Sequence, residues 1–383
     1  MQPEVLLYLI LGIILFDYLF DQTLDYLNLK SLKSNLPESL EGVYNSAEYE
    51  KSQRYQRTLS KFSFLTSAFS TLLTVVVIYF GIFGYIDGVL KPYISNPILL
   101  SLAFFGLLFI LSDLINLPFQ LYSTFKIEAR FGFNKTTKKT FWLDKIKGWL
   151  MSAILGGGIL SLIIWFYQFS GANFWIYAWV LVAVFSLFMN MFYAKLIVPL
   201  FNKQKPLEDG ELKFAIEKYA KKVGFTLNNI FVIDGSKRST KANAYFSGFG
   251  SQKRITLFDT LINDLETDEI VAVLAHEVGH YKRKHIIFNL ASTILLTGLT
   301  LFILSLFINS SILSEALGVS IPSFHIGLIA FGILYSPISE ITGLFMNYMS
   351  RKFEYQADNY AKETFAGLPL ITSLKKLSKN SLS

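Results

Sequence analysis

Residues 267–308 read TDEIVAVLAHEVGHYKRKHIIFNLASTILLTGLTLFILSLFI. The first half contains His276-Glu277-Val278-Gly279-His280; the second, 286–308, carries no charged side chain. An apolar run of about 20 residues spans the hydrocarbon core of a bilayer as one helix. Two His at i and i+4 project from one helix face, where both imidazoles can hold a zinc ion. Glu277 then lies beside the metal, positioned to take a proton from water. Thr267-Asp268-Glu269 reads as the cap and acidic first turn of that helix, with 270–274 as its buried face. The bland alternative is a surface helix that happens to display two His. The stretch predicts a metal-binding helix set directly against a membrane span.

The rest of the chain supports a multi-pass membrane protein. Of 383 residues, 52% are hydrophobic and only 16% charged, with 36 Phe, where soluble domains carry about 25% charge. This composition excludes a disordered or coiled-coil chain. Seven spans are expected, at 5–20, 62–85, 98–117, 149–169, 172–200, 286–308 and 326–349. The first is not a cleaved signal, because it lacks a basic leader and contains Asp17 with Asp21 following. With these spans, 34 of the 35 Lys and Arg fall on one side, and Lys91 alone falls on the other. The positive-inside rule makes the rich side cytoplasmic, giving an outer N-terminus and a cytoplasmic C-terminus. The net charge of +7 then reports topology and calls for no nucleic-acid partner. Cysteine is absent, which excludes disulfides and thiolate metal sites.

Only the connection 199–283 is long enough to fold as a domain. Residues 210–224 read as an amphipathic helix, and 229–234, 242–249 and 254–258 as short strands, with Gly235, Ser236, Gly248 and Gly250 at the turns. Residues 30–61, with Pro37 and Gly42, read as a cytoplasmic helical loop. The chain divides into an N-terminal transmembrane region, 1–200, and a metalloprotease region, 201–383.

A catalytic zinc takes three protein ligands and leaves one position open. Without Cys, the third ligand must be His, Asp or Glu. His285, five residues past His280, points about 140° around a continuing helix, and His325 falls on the opposite side of the bilayer. The hairpin of the last two spans returns Glu354 to the cytoplasmic face, as a ligand or as an ordinary juxtamembrane carboxylate. Asp358 shares a helix face with Glu354; it either accepts a hydrogen bond from a ligating imidazole or helps in proton transfer. Asn243-Ala244-Tyr245-Phe246 is the candidate edge strand for an extended substrate, with Asn243 and Ala244 as substrate contacts. Asp113, Asn116, Asn190 and Glu340, inside spans, either face chamber water or bond between helices.

Together the H-E-x-x-H motif, Ser350-Arg351-Lys352-Phe353-Glu354 with Ala357-Asp358, and Asn243-Ala244-Tyr245-Phe246 resemble the type I CAAX prenyl endopeptidases, integral-membrane zinc metalloproteases related to HtpX. Phe131-Gly132-Phe133-Asn134-Lys135, Pro199-Leu200-Phe201-Asn202 and Leu257-Phe258-Asp259-Thr260-Leu261 extend the likeness over most of the chain. The resemblance implies a mainly α membrane protein, with seven transmembrane helices in a barrel around a water-filled chamber. A small cytoplasmic α+β zincin-like metalloprotease domain would complete it. It implies one zinc on His276, His280 and Glu354, with Glu277 as base, and hydrolysis near the C-terminus of lipidated or membrane-associated proteins. Relatives continue into a segment with a Tyr-Ser-His-Pro-like stretch, whereas no His follows His325 here; the expectation is a C-terminally shortened chain.

The expected partners are a protein or peptide substrate, prenylated or not, and the lipid bilayer, with the chain monomeric. Its expected location is a bacterial inner membrane or the endoplasmic reticulum membrane. Two other readings compete. An HtpX-like quality-control protease would share the metal site with fewer spans. A seven-helix receptor or transporter would share the topology but have no use for the His–His–Glu set.

Overall fold

The computed structural model describes residues 2–32, 36, 44–225, 229–248 and 253–382. Local side-chain chemistry starts several of its helices. Asn45 caps α2 (Ser46–Tyr79, after α1, Pro3–Ser31) through a reciprocal capping box with Glu48. Gly81, at φ 64°, turns the chain into the short α3 (Ile82–Leu90), so the second apolar helix ends six residues before the expected 85. Asn96 accepts from the backbone N–H groups of Ile98 and Leu99 to open α4 (Pro97–Tyr122), which runs through a π-helical segment, Ser123–Glu128, into α5 (Ala129–Phe131). Thr137 caps α6 (Lys138–Met151) in the same way.

Six helical stretches among the described residues are long and apolar enough to cross a membrane. Seven spans were expected. The difference lies in Lys138–Phe201, 64 residues that include two of the expected spans. Within it the chain reverses at Gly171 (φ 53°, ψ −124°), between α7 (Gly157–Ser170) and α8 (Phe174–Leu196). The two helices pack side by side, with Phe166 stacked on Tyr177 and Tyr167 edge-on to Phe174. Residues 46–61, expected in a loop, are the first turns of α2; Pro37, Gly42 and Gly250 lie outside the described residues.

After α9 (Val198–Phe201), the chain forms a four-stranded sheet in the order β1-β2-β4-β3. The strands are β1 (Gln204–Pro206), β2 (Asn229–Ile233), β3 (Ala244–Ser247) and β4 (Arg254–Phe258). The sequence offered no sign of β1, which has three residues and contains Pro206; a strand so short is stabilised by its partner β2. β2 and β4 run parallel, while β3 pairs antiparallel with β4 at the edge. β3 is shorter than 242–249, because Gly248 turns to φ 83°. The amphipathic α10 (Glu211–Lys222) and the short α11 (Asp259–Asp264) pack on the sheet. Ile216, Tyr219, Ile255, Leu257 and Leu261 share one core with Ile270, Leu274 and Val278 of α12 (Thr267–Lys282).

Past α12 the chain enters the apolar α13 (His285–Phe307), then α14 (Ser311–Ala316) and the 41-residue α15 (Phe324–Thr364). Helix α15 joins an apolar first half to a polar last portion that returns to α12. Helix α16 (Gly367–Ser381) closes over the same domain, burying Leu370. Beyond it, Leu382 packs with Tyr55, Ile127, Phe131 and Phe133, tying the domain to α2.

Candidate metal centre

The cap of α12 lies one residue before the expected Thr267, which is instead the first helical residue. Glu266 is the N-cap, accepting from the N–H of Glu269, whose carboxylate accepts in return from the Glu266 N–H at 2.9 Å. The box fixes the helix start, and with it the face on which His276 and His280 stand. One turn further, Gly279 meets α15 at closest approach. A Cβ there would lie 3.1 Å from both the Cα and the carbonyl oxygen of Ala357, which is itself fully buried. The two backbones touch because neither residue has a side chain large enough to hold them apart.

That crossing brings Glu354 to the motif. His276 Nε2 and His280 Nε2 are 3.1 Å apart, and the Glu354 carboxylate lies 3.3 Å from the first and 3.6 Å from the second. In a tetrahedral site with bonds near 2.0–2.1 Å, ligand atoms stand about 3.3 Å apart. The three donors therefore outline one face of a zinc tetrahedron, with the fourth vertex open.

Proton positions support the same fit. Asp358 Oδ1 lies 2.8 Å from His276 Nδ1, so Nδ1 carries the proton and Nε2 presents a lone pair. His285 Nε2 lies 2.8 Å from the Gln356 carbonyl Oε1, and His285 Nδ1 lies 3.1 Å from His280 Nδ1. Donation to Gln356 leaves Nδ1 of a neutral His285 as acceptor. His280 Nδ1 then donates, and His280 Nε2 also presents a lone pair. Two lone pairs facing each other at 3.1 Å repel unless a cation lies between them.

His285 is where the structure departs from the expected geometry. The helix does not continue: Lys284 adopts φ 62°, and His285 opens a new helix behind His280. Its ring stacks on Phe353, with centroids 4.2 Å apart and planes 12° apart. His285 thus stands behind the His280 imidazole. A left-handed Lys has no sequence signature, so spacing alone could not place it.

Glu277 is half-buried on the same helix. Burial pushes its carboxyl above the ordinary glutamate value; the His276 ring opposes this and Glu354 adds to it. A raised carboxylate is a stronger base. His280 is shifted downward, by burial first and then by the neighbouring His276, and so stays neutral for ligation.

The other predicted residues fall in different places. Asn243 is exposed, its Oδ1 accepting from the Ala244 N–H, and Ala244 begins β3. Asn243 immediately precedes β3, the strand that packs along α12 through Phe246 and Tyr281; among the described residues no hydrogen bond or ion pair joins Asn243 or Ala244 to the His–His–Glu set. His325 is buried elsewhere, between Asp87 at 2.8 Å and Ser101 at 3.0 Å. Asp113 bonds Lys145 and Trp149 of α6, an interhelical role.

The family description "CAAX prenyl protease N-terminal, five membrane helices" matches residues 25–203, and "Peptidase family M48" matches 206–378. The chain is 39% identical to the CAAX prenyl protease 1 homolog of Arabidopsis thaliana, covering 98% of this chain and 90% of that protein. It is 37% identical to CAAX prenyl protease 1 of Saccharomyces cerevisiae, covering 93% and 84%. The crystal structure of S. mikatae Ste24p superposes with a TM-score of 0.94 at 35% identity, over 99% of this chain and 93% of that one. The M48 family implies a metal, typically zinc, and His276, His280 and Glu354 form a group that could hold one. These likenesses and the apolar helices agree: the chain belongs to the CAAX prenyl protease group of peptidase family M48, and it is a multi-pass membrane metalloendopeptidase.

Proposed function

We propose that this chain is a zinc-dependent endopeptidase that cleaves near the C-terminus of lipidated or membrane-associated proteins. His276, His280 and Glu354 hold the ion. The observation that carries this is the triangle of donors at 3.1, 3.3 and 3.6 Å, closed by two opposed lone pairs. A zinc ion there supplies a Lewis acid that polarises the scissile carbonyl and makes water more acidic.

The chain's own groups do the rest. Glu277 takes a proton from the attacking water and delivers it to the leaving amine nitrogen as the C–N bond breaks. Asp358 and His285 hold the two imidazoles with their Nε2 atoms turned inward. An extended substrate adds to the unpaired edge of β3, guided by Asn243 and Ala244.

The division near residue 200 separates the membrane region from the protease region. With α7 and α8 counted as two crossings about Gly171, the spans number seven. The sorting of 34 of 35 basic residues then favours an outer N-terminus and a cytoplasmic metal centre.

The test is zinc content and peptidase activity measured on purified wild type and Glu277→Gln, with a prenylated peptide and its unprenylated twin. One zinc in both proteins and activity only in wild type is the expected result, with a loss of at least ~10²–10⁴-fold. Metal-free protein overturns the reading. Equal cleavage of the two peptides moves the substrate to unlipidated membrane proteins, as in the HtpX-like reading.

A further inference from the structure

Away from the metal centre, the first turns of α2 and the end of α5 line a half-open cavity of about 340 Å³. Five cations line it: Lys51, Arg54, Arg57, Lys61 and Arg130, beside Thr58 and Phe131. Among the described residues, no carboxylate lines it. Lys51, Arg54, Thr58 and Lys61 follow one face of α2 at helical spacing, while Arg130 reaches it from the turn after the π-helical segment. Among the described residues, Arg54 pairs with the exposed Glu50, at 3.8 Å. Arg57 donates to the Leu32 carbonyl. Among the described residues, Lys51, Lys61 and Arg130 have no acidic partner.

The cavity stands where two helices leave the bilayer. Residues 62–86 and 114–125 are free of charge, so Lys61 and Arg130 lie just outside both apolar stretches. The opposite side of the same helical turn faces the protease domain. Tyr55 donates to Glu128 at 2.6 Å and receives a hydrogen bond from Lys241 at 2.8 Å, and Ser52 with Gln56 holds the Leu382 carbonyl.

Topology needs basic residues on this side of the membrane, but it does not need them to converge. Lys51, Arg54, Lys61 and Arg130 crowd like charge around one hollow, and their repulsion is relieved by a multivalent anion. A basic pocket between membrane helices at headgroup depth suits a phosphorylated headgroup. We propose that this cavity binds a phosphate-bearing anion, supplied as the headgroup of an anionic phospholipid or as a free phosphorylated solute. Thr58 offers a hydroxyl donor, and the arginines offer paired N–H donors to its oxygens.

The experiment uses the full chain in nanodiscs of phosphatidylcholine with and without phosphatidylinositol 4,5-bisphosphate, and native mass spectrometry of the lipids that remain bound. Wild type is expected to retain the phosphoinositide in preference to phosphatidylcholine. The triple variant Arg54→Gln/Lys61→Gln/Arg130→Gln is expected to lose at least ~10-fold of that retention, as headgroup attraction falls with each cation removed. Lys205→Gln/Lys218→Gln/Lys221→Gln carries the same change in charge away from the cavity and should retain wild-type binding.

Soluble inositol 1,4,5-trisphosphate, titrated by calorimetry into the protein in phosphatidylcholine nanodiscs, separates the two sources. Binding of the solute without lipid retention assigns the site to free phosphates. Equal retention in both triple variants, or no phosphate binding in either assay, overturns the proposal. Unchanged melting and peptidase activity of the cavity variant shows that the fold is intact.

Discussion

The smallest residues at the metal centre set its geometry. Gly279 lets α12 reach the backbone of Ala357, and a methyl group there would meet two backbone atoms at 3.1 Å. Gly279→Ala is therefore expected to cost about 1–3 kcal/mol, the range for overpacking a tight interior contact. It should also weaken metal binding, because Glu354 moves with α15; calorimetric melting and zinc titration would read both. In the proposed reading, Asp358 and His285 act through the imidazoles they contact. Asp358→Ala and His285→Phe are each expected to lower zinc affinity by about 10–100-fold, measured by competition with a chelator. His285→Gln, which keeps a hydrogen-bonding group behind His280, should recover part of that loss. Full affinity in His285→Phe would show that its contact with His280 is only packing.

At the scale of elements, α12 is held at its start by a buried acid. Glu269 accepts from Lys376 of α16 at 2.7 Å and from the Glu266 N–H. Burial alone would raise its carboxyl, yet these hydrogen bonds and the Lys376 charge hold it below the ordinary value of 4.5. A carboxyl depressed in the folded state stabilises above its unfolded pKa and loses that contribution as pH falls through the folded value. Melting temperature should therefore drop as the solution is acidified below about 4.5. Lys376→Met should be less stable at neutral pH by about 1 kcal/mol, the magnitude for a partly exposed ion pair. Its acid limb should be flatter as well. An unchanged acid limb would mean that Lys376 does not set the Glu269 carboxyl.

For the molecule as a whole, the prediction concerns sidedness. The chain has no cysteine, so single cysteines report position without background. Tyr93→Cys, in the short connection after α3 where the side chain is 86% exposed, should react with an impermeant maleimide from outside sealed cells. Lys218→Cys on α10 should react only after permeabilisation. The reverse pattern would invert the orientation drawn from the basic residues. Metal removal is also a whole-molecule property, because the ion would join α12 to α15. Chelation should lower the melting temperature and added zinc restore it, since a ligand bound only by the folded state stabilises by mass action.

Much of this architecture could be read one segment at a time. Apolar length marks the membrane helices, and the H-E-x-x-H spacing marks the helix face that carries His276 and His280; each rule acts within about one helix. The return of Glu354 to the neighbourhood of the motif was also legible, because a hairpin of two spans must return to the side it left. The remainder depends on contacts between distant segments. Strand β1 exists because β2 pairs with it. The cap moved to Glu266 because its box is completed at Glu269, where Lys376 also bonds. His285 lies behind His280 because Lys284 turns left-handed, and α15 supplies Phe353 and Gln356 to hold the ring. Periodicity assigns a residue to a face of its own helix; only the packing of other helices decides what that face meets.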